Sequence, residues 1–110
     1  MNVQRGDIVV CVIACDYGKS RPAVVVQSDL FNPYHASIVV CPITSYLVEA
    51  QLFRLQLKPT LINGLVNESQ IMVDKLTAIR VEKITHKIGK LITGEVEQLN
   101  RALKLWLDVL

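Results

Sequence analysis

Short runs of β-branched and apolar residues, broken by turn-forming clusters, fill most of the chain, and a helical period appears only at its end. Gly6-Asp7 opens an apolar run from Ile8 to Cys15, too rich in β-branched residues for a comfortable helix and read as a first strand. Asp16-Tyr17-Gly18-Lys19-Ser20 has turn composition. Pro22 to Gln27 predicts a second strand, with proline tolerated at its first position. Ser28-Asp29 can cap a short helical turn that ends at Asn32-Pro33. Ser37 to Pro42 predicts a third strand, with Thr44-Ser45 following its end. In "LFRLQL" (52–57), Phe53, Leu55 and Leu57 share one face while Arg54 and Gln56 take the other, as in a half-buried antiparallel strand. A loop through Pro59 and Asn63-Gly64 leads to a strand from Ser69 to Asp74. A brief strand follows around Ala78 to Val81, then a short helix around Glu82 to Lys87.

The last element has the clearest pattern. Thr93 can cap a helix, Glu95 and Glu97 suit its positive N-terminus, and Glu97 stands four residues before Arg101. Val96, Leu99, Leu103, Trp106 and Leu110 form a stripe at helical spacing, expected to lie in the core. Many strands with one terminal helix predict an α+β domain, mainly antiparallel β, spanning 1–110 as one unit.

Composition narrows this picture. At 51% hydrophobic and 20% charged, the chain has enough apolar surface for a core, which excludes a disordered protein. So apolar a small domain is expected to bury part of its surface in a dimer. A net charge of +2 is compatible with a nucleic-acid ligand without arguing for one. No apolar run approaches the ~18 residues of a membrane span, and "IVVCVIAC" follows "RGD" and not a basic leader, so a cytoplasmic protein is expected. Cys11 and Cys15, four residues apart on one strand at roughly 3.3 Å each, are too distant for a disulfide. No cysteine or histidine spacing suggests a metal, and buried thiols are the expectation.

No motif of strong catalytic specificity is present. His35 lies in a loop, while His86 sits among Lys83, Lys87 and Lys90, as on a solvated helix face. The informative polar residues cluster at predicted strand ends: Arg21 before strand two, Thr44 after strand three and Asp74 at the end of strand five. An arginine at the mouth of so apolar a strand asks for an anionic partner. A guanidinium, a hydroxyl and a carboxylate on one rim suit binding and cleavage of a phosphodiester. Tyr17, Tyr34 and Tyr46 fall in loops beside these ends, where rings can stack on single-stranded bases. A surface ion pair for Arg21 and ordinary packing for the tyrosines is the competing reading.

Taken in order, "RGDIV" (5–9), "RPAVVVQSDLFN" (21–32), "VVCPITS" (39–45), "GLVNESQIMVDKLTAI" (64–79) and "KITHKIGKL" (83–91) resemble the MazF/PemK family of toxin endoribonucleases. The resemblance implies a small SH3-like barrel of the PemK/CcdB kind with a C-terminal helix, acting as a homodimer. It implies cleavage of single-stranded RNA at short sequences without a metal or cofactor, through attack of the 2′-hydroxyl on the adjacent phosphate. Arg21 and Thr44 match the family's catalytic arginine and threonine. Lys19, Tyr17, His35, Tyr46 and Asp74 are the candidate RNA-binding residues, and a cognate antitoxin is the expected protein partner. Two departures stand out: the loop "CDYGKSRP" is short and lacks the family's glutamate and glutamine, and Met72 stands where some members carry arginine. General base and acid are therefore open among Lys19, His35 and Asp16. The alternatives are a non-enzymatic, CcdB-like gyrase inhibitor and a catalytically weakened RNA-binding relative.

Overall fold

A computed structural model describes residues 2–14 and 17–110; Cys15 and Asp16 lie outside the described residues. Seven strands and one helix follow in order: β1 (Asp7–Val12), β2 (Ser20–Val25), β3 (Ser37–Thr44), β4 (Arg54–Leu57), β5 (Ser69–Met72), β6 (Thr77–Arg80), β7 (Ile84–Lys90) and α1 (Thr93–Leu107). Single 3-10 turns at Val73–Lys75 and Val81–Lys83 flank β6.

β3 is the hub of the sheet. Its first half pairs with β6 from Ser37↔Arg80 to Val40↔Thr77, and its last residues pair with β5 through Ile43↔Ile71 and Thr44↔Gln70. Pro42, which has no N–H to give, falls in the gap where β3 exchanges one of these partners for the other. The opposite edge of β3 pairs with β2, and the order runs β4-β5-β3-β2-β1-β7, every ladder antiparallel. No ladder joins β4 to β7 among the described residues, so the expected barrel is not closed by strand pairing. The 58–67 loop lies along β7 instead, with Lys90 N–H donating to the Ile62 carbonyl at 3.0 Å.

The curled sheet buries both faces of its central strands, which explains their nearly unbroken apolar sequences. Ile8, Val24, Cys41, Ile43, Ile71 and Leu99 pack in one cluster; Val9, Cys11, Ala23, Val25, Ile38 and Val40 pack in the other. Each fully buried Ile or Leu stabilises the fold by about 1.5–3 kcal/mol. Cys11 and Cys41 are buried, and desolvation pushes the Cys41 thiol up to about 12, well out of the reactive range.

Three expectations are corrected. Residues 84–87, expected in a helix, lie in β7, because Ile84-Thr85 is β-branched and β1 offers a free edge. Ile92, not Thr93, is the N-cap of α1; the Glu95 carboxylate reaches back to accept the Ile92 N–H at 2.9 Å. The apolar stripe is core only over its first half. Leu99 is fully buried and Val96 and Leu103 pack beside it, whereas Trp106 is 45% exposed and Leu110 lies wholly in solvent. Trp106 still meets Phe53, their rings 5.2 Å apart.

Candidate active site

The β2–β3 ladder sets the geometry. Ala23 faces Pro42, and the same register carried two residues further places Arg21 opposite Thr44. Both line a cavity of about 470 Å3, with Ser45, Asn67 and Ser69 supplying further polar groups and Pro22 and Ile43 its apolar wall. Thr44 Oγ1 accepts the Tyr46 N–H at 3.0 Å, so the hydroxyl's own hydrogen is directed elsewhere and is available to an anion. Arg21 also lines a second cavity, of about 490 Å3, with Ile13, Pro42, Met72, Lys75, Leu76 and Thr77. A fixed cation and a hydroxyl donor facing each other across a strand pair can hold two non-bridging oxygens of one phosphate.

The other candidates are distributed less tightly. Tyr17 and Gly18 both have positive φ, 52° and 77°, and the β1–β2 connection carries the exposed Lys19 two residues before Arg21. The Tyr46 ring stands in solvent one turn beyond Thr44. His35 is remote: it precedes Ser37 at the start of β3, and Thr44 ends that strand, roughly 23 Å of extended chain away. Its Nδ1 accepts the Ser37 N–H at 3.1 Å, which makes it part of the loop's own structure. It does not join Arg21 and Thr44 within one protomer. Asp74 lines neither cavity; both of its oxygens are taken by Arg54, at 2.7 and 3.0 Å. His86 lies on the exposed β7 edge beside Thr85, on a strand and not a helix.

A family model for the PemK-like, MazF-like toxin of type II toxin–antitoxin systems matches residues 4–107. The chain belongs to that family. It is 34% identical to the probable endoribonuclease MazF of Mycolicibacterium smegmatis over 97% of its own length and 98% of the relative's. It is 33% identical to endoribonuclease MazF9 of Mycobacterium tuberculosis over 81% of this chain and 79% of that one. The fold matches the Mycobacterium tuberculosis toxin MazF-mt6 with a TM-score of 0.81 at 21% identity, over 94% and 97% of the two chains. It matches a mycobacterial endoribonuclease solved in complex with its cognate antitoxin with a TM-score of 0.84 at 16% identity, over 99% and 98%.

Much of this toxin's polar sequence builds scaffold. In the segment after β2, Gln27 accepts the Val39 N–H and donates to the Ser37 carbonyl, while Asn32 donates to the Gln27 carbonyl and to Asp29. Asp29 in turn accepts the Arg5 N–H at 2.7 Å. The cavity lip depends on Asn63, whose role the sequence reading missed. Its carboxamide accepts from the Thr60 and Leu65 N–H groups and donates to the Lys58 carbonyl, and Thr60 Oγ1 accepts its N–H. A Thr-x-x-Asn-Gly run between strands is the signal that points to such a loop. A larger cavity, of about 770 Å3, lies between the 48–56 segment and α1. Its Gln70 is engaged with both the N–H and the carbonyl of Val48 and with Gln56, and none of the candidate residues reaches it.

The Arg54–Asp74 pair fixes the 3-10 turn that carries Lys75 beside Met72. The Arg54 guanidinium holds the Asp74 carboxyl below its ordinary range, chiefly by hydrogen bonding. A lowered folded value means the stabilisation is complete above the ordinary carboxylate range, about pH 4, and is lost as pH falls through the lowered value. Asp74→Asn is expected to cost about 1–3 kcal/mol at neutral pH and to flatten the acid side of the stability profile. Urea melts between pH 7 and pH 2.5 check both; parallel profiles for the two proteins would contradict the role given to this pair.

Proposed function

We propose that the chain is the toxin of a type II toxin–antitoxin pair, an endoribonuclease that cuts single-stranded RNA at the cavity shared by Arg21 and Thr44. The observation that supports the assignment of residues is that Arg21 and Thr44 line one cavity, at positions that face each other when the β2–β3 register is continued past Ala23↔Pro42. In this reading the RNA 2′-oxygen forms a bond to the adjacent phosphorus as the bond to the 5′-oxygen breaks. The products are a 2′,3′-cyclic phosphate and a 5′-hydroxyl. One proton leaves the 2′-hydroxyl and one reaches the departing 5′-oxygen. Arg21 neutralises charge on the non-bridging oxygens, since a guanidinium is too weak an acid to serve readily in proton transfer. Thr44 donates its hydroxyl hydrogen to one of them. Proton transfer falls to the hairpin that carries Lys19, given the distance of His35.

The gyrase-inhibitor reading is not favoured, because the named relatives are endoribonucleases. A cognate antitoxin is the expected protein partner, and covering the Arg21 cavity is the direct way for it to block RNA. The site of action is the cytoplasm, where such RNA is found. Purified protein incubated with long single-stranded RNA in excess EDTA is expected to yield discrete cuts with 2′,3′-cyclic phosphate ends. Intact RNA from folded protein would contradict the assignment.

A homodimer completes the proposal, supported by the apolar surface left open at the end of α1, where Leu105, Leu107, Val109 and Leu110 are all at least half exposed. An interface of about 800 Å2 per partner would take up such surface. Light scattering at micromolar concentration is expected to give twice the 12.3 kDa chain mass; a monomer throughout would remove this part.

A further inference from the structure

Resting on the nuclease reading above, we propose that the second cavity beside Arg21 is a specificity pocket for one nucleobase flanking the scissile phosphate, and that it selects keto bases. The cavity, of about 490 Å3, is walled by Ile13, Pro42, Met72 and Leu76 and has Lys75 and Thr77 as its polar members. Apolar walls with a polarizable thioether suit an aromatic ring, since sulfur–aromatic contacts are favourable. Because Arg21 lines both cavities, a phosphate held between Arg21 and Thr44 places a neighbouring base at the mouth of the second. Lys75 offers only donors, so a base that carries a carbonyl oxygen at its 4- or 6-position, as uracil or guanine does, is satisfied there when that edge faces the ammonium. The exocyclic amine of cytosine or adenine would meet a like donor. The exposed Lys75 extends from the turn whose backbone the Arg54–Asp74 pair anchors, which gives that pair a positioning role for specificity.

Met72 makes the pocket directly visible. The chain has two methionines, so a sample labelled at the methionine methyl carbon gives two signals, and Met72→Leu assigns them. The probes are uracil-only and cytosine-only hexamers of 2′-O-methyl RNA, which have no free 2′-hydroxyl and are not cut. A base ring against the thioether is expected to move the Met72 methyl upfield with the uracil hexamer. The uracil hexamer is expected to bind about tenfold or more tightly than the cytosine one, and Lys75→Met is expected to bring the two affinities together. Thr77→Val is expected to reduce the preference less. In parallel, cuts mapped on long RNA are expected to show a keto base at one position beside the cut, relaxed in Lys75→Met. An unmoved Met72 methyl at saturating RNA overturns the pocket. So does equal weakening of both hexamers by Lys75→Met, which would mark Lys75 as a phosphate contact. Cleavage by the wild-type protein decides the nuclease reading separately: cuts with an unmoved methyl leave that reading standing. A uracil-selective shift without cuts keeps the pocket and removes the nuclease.

Discussion

Arg21→Ala is expected to lower the rate of RNA cleavage by about a thousand-fold or more while leaving the melting temperature within a few degrees of wild type. Removing a single donor from a developing oxyanion typically costs 10²–10³-fold, and a charged arginine on a phosphoryl group reaches about 10³–10⁵-fold. Stability should hardly change, because Arg21 stands near the start of β2, half-buried, and lines open cavities where Ala23 and Val25 on the same face enter the core. Lysine at this position restores little, since a single ammonium cannot grip two oxygens with the planar fork of a guanidinium. Thr44→Ala is expected to cost about a hundred-fold, and Thr44→Ser to recover most of it, because serine also accepts the Tyr46 N–H and donates outward. Single-turnover cleavage beside a thermal melt checks the set. Full activity in Arg21→Ala would place the chemistry elsewhere.

Gly64→Ala is expected to unfold the lip of the cavity. Gly64 has φ +70°, and a Cβ there would stand 2.1 Å from the Ile88 carbonyl oxygen. That oxygen belongs to β7 backbone, so the clash is relieved only by moving the loop off the strand. The left-handed backbone alone costs about 1–2 kcal/mol for a residue with a side chain, and the collision adds to it. A total of about 3 kcal/mol or more, in a domain with roughly 5–15 kcal/mol of net stability, corresponds to a fall in melting temperature of at least about 10 °C. Gly18 separates the two causes: its φ is +77°, yet among the described residues a Cβ there meets nothing within 4 Å. Gly18→Ala is therefore expected to lose only the backbone part. Because residues 64–67 line the cavity, Gly64→Ala should also lose cleavage at temperatures where the protein remains folded. Equal melting shifts for the two alanine variants would show that loop and β7 do not approach so closely.

What could be read in the sequence follows from which interactions are local. The strands around Ile8, Val24 and Val40 were legible because β-branched runs bounded by turn residues leave few other choices, and α1 because its period is carried by Leu99 and its neighbours. β7 was misread as a helix because Glu82 to Lys87 is polar and weakly patterned; only its pairing to β1 decides it. Trp106 and Leu110 follow the helical period yet pass beyond the edge of the sheet, so periodicity alone overstates the core. At the site, Arg21 and Thr44 announced themselves as polar residues at strand ends. Their direct opposition is a matter of β2–β3 register, which no local pattern encodes. His35 lies at the end of strand three away from Thr44, because nearness to that strand in sequence says nothing about which end of it a residue occupies. The short spacing from Arg54 to Asp74 across β4 and β5 was equally hidden, and so was Asn63, whose hydrogen bonds exist only once the loop has closed on itself.

The measurement that tests the central claim most directly is a double-mutant cycle on cleavage at one mapped RNA site, with Arg21→Ala, Thr44→Ala and the two combined. Two groups that hold the same phosphate act as a unit, so the combined variant should lose little more than Arg21→Ala alone. Losses that multiply would mean that Arg21 and Thr44 act on separate parts of the RNA, and the shared cavity would not be the place where the chain is cut.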